Sequence, residues 1–220
     1  MDRFFAHASE FGFFLDVSRI YSGAFIPHPY IGTPNVTRPS QGLLRTIFLW
    51  GAHLSPSSHP PAREHEYMLR ALAETATSLS SEHPQKVLQT IQAEVLLAYY
   101  FFRIGHCLEA RRHATSAASL TLGAGLHRLR ASGSAENVPI AFMSTGPIYL
   151  PEARDPIEQG ERINGFWTVV MLCKILNIVF VEAVGSVCGI FESPGLNIDT
   201  PWPLDMESYN DVSFFFPRLA

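Results

Sequence analysis

The stretch PQKVLQTIQAEVLLAYYFFRIGHCLEARRHATSAASLTLGAGLH, residues 84–127, decides the fold. Leu88, Ile91, Val95, Ala98 and Phe102 recur at alternating spacings of three and four, which places them on one face of an α-helix. Pro84 sits where a first-turn proline belongs, since its missing amide costs nothing there. Gly105 interrupts the run. A second helix follows, with Ala110, Ala114, Ala117, Ala118 and Thr121 as a stripe of small residues. Small side chains let two helix backbones approach closely, so the stripe is expected to pack on the Leu88–Phe102 face. Gly123 and Gly125 close the helix, Gly125 as a left-handed cap. The unit predicted is an αα-hairpin like a single tetratricopeptide pair, with no second copy at the ~34-residue period of a repeat array.

Outward from this pair the chain alternates helices and proline-marked connectors. Residues 3–20 read as one helix rich in phenylalanine. Residues 22–40 contain Pro27, Pro29, Pro34 and Pro39 and read as an extended connector. Leu43 to His53 is a short apolar helix. A Ser/Pro loop ends at Pro61, and a further helix runs from Ala62 to Leu79. Residues 131–154 show no sustained period and read as a loop. Asp155 and Pro156, with Glu158 and Glu161, are a helix-start signal, and that helix is expected to run to about Val184. The tail SPGLNIDTPWPLDM (193–206) is proline-punctuated and expected to be extended. The class is therefore all-α: a helical bundle of antiparallel helix pairs, with its core at about 40–203.

Composition narrows the function classes. Hydrophobic residues are 47% of the 220 and charged residues only 16%, which excludes the signature of a disordered chain. The net charge of −4 lacks the basic footprint of a nucleic-acid binder. The charge is uneven: five arginines face one glutamate between 103 and 130, whereas eleven acids face four bases from 131 onward. Three cysteines, Cys107, Cys173 and Cys188, do not make a disulfide framework and fit a reducing compartment. Acids in the first sixteen residues break any signal-peptide core. Lys174, Asn177 and Glu182 interrupt the apolar stretch 166–191, so a buried core helix is expected there rather than a membrane span.

Catalytic signatures are missing. Nine histidines raise a metal question. His53, His59 and His65 flank the Ser/Pro loop, and His106, Cys107 and His113 cluster, but no HExxH or CxxC spacing joins any of them. They read as turn and surface histidines. There is no GxSxG elbow, and the glycines at 123–125 follow a helix where a dinucleotide fingerprint follows a strand. Cys173 and Cys188 lie in apolar sequence, as small buried hydrophobes do. No enzymatic activity, and no cofactor or metal bound by this chain, is expected.

Residues 90–127 resemble the middle homology region of fungal-specific transcription factors. The matching positions are Gln92, Leu96, Leu97, Tyr99, Gly105, Ala110, Ala114, Ala117, Gly125, Leu126 and His127. A second block, Glu161, Arg162, Phe166 and Trp167 with Leu172 and Lys174, resembles the family's acidic and arginine lead-in to Phe-Trp. A third, NIDTPWP at 197–203, resembles its Asp-containing exit, with Asp199 and Pro201 at the matching positions. The start HASEFGFFLDVSRI and the segment Pro39–Leu43–Leu44 fit as well. The chain departs from the pattern where Ile163 and Asn164 replace an arginine run and where Cys173 and Lys174 replace Asp-Arg. A degenerate turn at 185–187 arrives about one helical turn late, as an insertion at 181–184 would produce.

The resemblance implies part of a regulatory domain spanning 1–220, with a continuation and an N-terminal binuclear zinc cluster that this sequence lacks. It implies a nuclear protein that regulates RNA polymerase II transcription, with DNA and zinc bound only by the missing module. Protein partners of the transcription machinery, or a small-molecule effector lodged among Phe4, Phe5, Phe11, Phe13, Phe14 and residues 99–102, are the implied ligands, and no membrane. The alternative is a helical protein-interaction scaffold with no DNA-binding role. The motif positions themselves read as structural.

Overall fold

The computed structural model describes residues 1–27, 32–33, 36–55, 61–130, 150–180, 187–193 and 195–211. The fold is all-α. The helices are α1 (Asp2–Phe5), α2 (Val17–Ala24), α3 (Gln41–His53), α4 (Pro61–Thr77), α5 (Lys86–Arg103), α6 (Cys107–Gly123), α7 (Pro156–Phe180) and α8 (Met206–Asp211). Short 3-10 turns occur at Ala8–Phe11, Ser78–Ser80, Leu126–Arg128 and Val187–Glu192. The β structure is a two-residue antiparallel pair, Gly32–Thr33 with Val36–Thr37. The chain divides into two compact units, Met1–Ala117 and Ala118–Ala220.

In the first unit α3 packs along α4 and α5. α3 starts where Ser40 accepts the Leu43 amide on its side chain, a polar N-cap. Gly42 lets α3 and α4 approach: a Cβ there would stand 2.4 Å from the Ser78 hydroxyl and 3.2 Å from the Thr75 Cα. α5 is buried nearly all round, from Val87 to Ala98. The expected single apolar face is thus a correction: α5 is a central helix, and Phe102, assigned to that face, is only half-buried. Such all-round burial needs neighbours on several sides. Leu96 and Tyr100 meet α3, whereas Glu94 and Phe101 meet α6.

The α5–α6 pair is antiparallel. Phe101 stacks with His106 and His113 close to the turn, and Glu94 reaches His113 and Ser116 further from it. Ala110, Ala114 and Ala117 are fully buried. Gly105 at φ +78° makes the turn. α5 begins at Lys86, not at Pro84, which lies two residues before the first turn.

The single helix expected over 3–20 is not formed. Gly12 at φ +67° turns the chain after the first 3-10 turn, and α2 begins afresh at Val17. Asp16 caps it by accepting the Arg19 amide at 2.7 Å. α2 continues to Ala24, into the segment expected to be extended. The phenylalanines of this region pack ring on ring: Phe4, Phe5 and Phe13 meet pairwise, edge to face. They form an aromatic cluster at the N-terminal end of the first unit.

In the second unit α7 opens at Pro156 as expected, with the Asp155 carboxylate accepting the Glu158 amide at 2.9 Å. Its packing residues are Phe166, Val169, Leu172 and Leu176, all buried, and it contacts α8 and the two 3-10 turns of its unit. Residues 181–184, the proposed insertion, and 131–149 of the expected loop lie outside the described residues. Over Pro156–Val179 this helix is long and apolar enough to cross a membrane by length and composition, the one such helix among the described residues. Lys174 and Asn177 thus leave enough apolar residues around them by length and composition, while the buried Phe166, Val169, Leu172 and Leu176 are those of a core helix. The described part of the tail up to Asp205 is non-helical, and α8 begins at its last residue, Met206.

α6 ends at Gly123, and Gly125 follows at φ +72°. A Cβ there meets nothing within 4 Å, so a side chain costs backbone strain alone. Gly125→Val is expected to lower stability by about 1–2 kcal/mol, read from the urea midpoint. An unchanged midpoint contradicts the left-handed cap.

Candidate functional site

Each position of the resemblance has a place in the fold. In the first unit Gln92 is buried, and its carboxamide holds the N-terminal segment. Oε1 accepts the Phe14 amide at 2.7 Å, and Nε2 donates to the Gly12 carbonyl at 3.1 Å. One helical turn earlier Gln89 does the same for Ser40, whose amide donates to its Oε1 at 2.7 Å. The Leu96 carbonyl accepts the Trp50 indole N–H at 3.0 Å. Leu97 and Ala110 are fully buried, and Tyr99 is half-buried, with its phenol pushed up by burial.

In the second unit three blocks distant in sequence meet. The Leu126 carbonyl accepts the Thr200 hydroxyl at 2.6 Å. The His127 carbonyl accepts the Asp199 amide at 2.7 Å, and the Arg130 amide donates to the Asp199 carbonyl at 3.0 Å. Trp167 donates its indole N–H to the Pro201 carbonyl at 2.6 Å, beside the buried Phe166. Glu161 and Arg162 are buried; Arg162 donates to Glu158 at 2.7 Å, and Arg154 donates to the same carboxylate at 2.6 Å. Burial alone raises the Glu158 carboxyl, but the two arginines outweigh it and hold the group below its ordinary value. Burial, and then the charge of Arg128, holds the His127 imidazole below its ordinary value. Lys174 pairs with the exposed Glu192.

Two polar clusters on α5 have no counterpart in the sequence reading. In the first, His53 Nδ1 meets Glu64 Oε1 at 2.8 Å, the Tyr100 hydroxyl donates to the same oxygen at 3.0 Å, and Arg103 Nε donates to His53 Nε2 at 3.1 Å. Burial first, then the Glu64 carboxylate, pushes the Tyr100 phenol up. In the second, His113 Nδ1 meets Glu94 Oε2 at 2.5 Å, Ser116 donates to Glu94 Oε1 at 3.0 Å, and Arg112 lies 2.8 Å from His113 Nε2. A guanidinium can only donate, so each Nε2 must accept. Each imidazole therefore carries its proton on Nδ1 and gives it to a carboxylate. Both Nε2 lone pairs are already taken by arginine. The first cluster joins α3, α4 and α5, and the second joins α5 and α6.

The histidine groups of the sequence reading separate accordingly. His113 is buried on Glu94, not a surface residue, and His106 stacks on Phe101. Among the described residues no three of His, Cys, Asp and Glu gather to hold a metal ion. Cys107 is exposed and Cys173 buried. An open groove of about 280 Å³ beside α1 is lined by Arg3, Phe48, Ser55 and Tyr67 among others, at the small end for a ligand site. The signal for Glu94 was in the sequence: a lone acid inside an apolar helix, which must find a partner when buried. No known protein family, curated protein or solved structure matches this chain.

Proposed function

We propose that the chain is the helical regulatory region of a fungal zinc-cluster transcription factor. It acts in the nucleus on RNA polymerase II transcription, and DNA and zinc are bound by a module outside these residues. One observation supports this reading. Several of the positions that carry the resemblance are joints of their units, with Gln92 pinning the N-terminal segment and Leu126, His127 and Trp167 bonded to residues 199–201. A family fingerprint made of structural joints specifies a scaffold, and a scaffold of this kind regulates by what it docks. The test is the coding sequence upstream of Met1, which is expected to hold six closely spaced cysteines beside a basic arm.

A second reading, a protein-interaction scaffold with no DNA-binding role, is favoured by a different observation: a fixed, exposed tryptophan in the second unit, with further exposed apolar residues beside it.

A further inference from the structure

The segment Ile198–Glu207 presents apolar surface that the fold does not use. Trp202 is 74% exposed, Leu204 42% and Ile198 38%. Trp202 is nonetheless held in place. Its ring lies on Trp167, centroids 4.4 Å apart and planes within 13°, and Trp167 is itself pinned to the Pro201 carbonyl. One indole face is thus fixed, and the side chain stays largely open to water. The backbone beside it is fixed too: the Leu204 carbonyl accepts the Asn164 amide group at 2.9 Å, and the Leu204 amide donates to the Tyr209 hydroxyl at 3.0 Å. A rigid aromatic side chain loses little entropy on binding, and tryptophan is prominent among interface hot spots.

Charge selects the partner. Residues 195–211 contain Asp199, Asp205, Glu207 and Asp211 and no lysine or arginine. Asp205 and Glu207 are exposed beside Leu204. The backbone of Arg130 meets the opposite end, where its amide bonds the Asp199 carbonyl. Two of these acids, Asp205 and Glu207, are exposed at the Leu204–Glu207 end.

We propose that this strip docks a basic amphipathic helix of a partner protein. The apolar side of the helix lies on Trp202 and Leu204. Its arginines or lysines meet Asp205, Glu207 and the open indole face, where a cation is attracted by the ring. The proposal does not rest on the family resemblance.

The experiment titrates the whole 220-residue chain with a synthetic peptide of about 14 residues carrying leucine on one helical face and arginine on the other, by calorimetry and tryptophan fluorescence. Saturable binding is expected, weakened by about 0.5 M salt. Trp202→Ala is expected to weaken it by about ten-fold or more. Asp205→Asn with Glu207→Gln weakens it as well, and Arg130→Gln does not. Trp202→Tyr, which keeps a ring on Trp167, retains part of the affinity and guards against a general loss of structure. No binding to the native chain overturns the proposal. So does equal binding of a peptide with glutamine in place of arginine, or binding unaffected by Trp202→Ala. A dimer of the chain alone, seen by sedimentation and lost in Trp202→Ala, assigns the strip to a second copy and overturns it too.

Discussion

Trp50→Ala is expected to lower the unfolding free energy by about 3–5 kcal/mol, the range for removing a fully buried large aromatic side chain. Trp50 is completely buried in α3. Its ring stacks on Phe11 at 3.9 Å and meets Tyr100 edge to face at 6.0 Å, and its indole N–H bonds the Leu96 carbonyl of α5. One side chain therefore links α3, the central helix and the N-terminal segment. The cavity left by alanine lies among elements fixed elsewhere, by Gln92 on Phe14 and by Gly42 between α3 and α4, so little collapse is available to relieve it. Trp50→Phe keeps much of the ring contact and loses the N–H bond, so it is expected to cost less. Urea denaturation measures both. A loss below about 1 kcal/mol for alanine contradicts the placement of Trp50 at the centre of the first unit.

Glu94→Ala is the second large effect, expected at about 2–4 kcal/mol. The carboxylate accepts from His113 Nδ1 and from the Ser116 hydroxyl, and His113 is itself buried flat against Phe101, with ring planes within 4°. Alanine leaves two donors without their acceptor in a site water reaches poorly. Glu94→Gln keeps an acceptor oxygen and is expected to cost distinctly less. A nitrogen NMR spectrum of the imidazoles reads the same geometry independently. His113 and His53 should each carry the proton on Nδ1, because an arginine N–H occupies each Nε2. A Glu94→Ala chain as stable as the native one removes the argument that this pair holds α6 on α5.

The local elements were legible where the signal is local. The three-and-four spacing of apolar residues and the Gly105 break give α5 and α6, and Asp155 with Pro156 gives the start of α7. Gly125 is left-handed because a turn after a helix needs positive φ, and glycine adopts it without strain. The misreadings have a common cause. The phenylalanines of residues 3–20 satisfy a helical period, but Gly12 turns the chain so that Phe14 can reach Gln92, 78 residues away. Periodicity does not register such a partner. All-round burial of α5 was hidden for the same reason, since Gln89, Gln92 and Glu94 look like a polar face until their partners arrive from elsewhere.

The motif positions were found as residues and not as joints. Nothing in the sequence says that the Leu126 and His127 carbonyls accept from Thr200 and Asp199. The two carboxylate–imidazole–guanidinium clusters went unread because their members are separated by up to 50 residues and follow no motif spacing. Two of the nine histidines find an acid far off in sequence, His53 at Glu64 and His113 at Glu94, which no motif spacing announces.

The measurement that bears most directly on the proposed function is the full extent of the transcript around the codons for Met1 and Ala220. Upstream coding sequence for six closely spaced cysteines beside a basic arm is expected, and downstream sequence that continues the helical region. A mature transcript whose reading frame begins at Met1 and closes after Ala220 contradicts it, and leaves the chain as a protein-docking scaffold without a DNA reader.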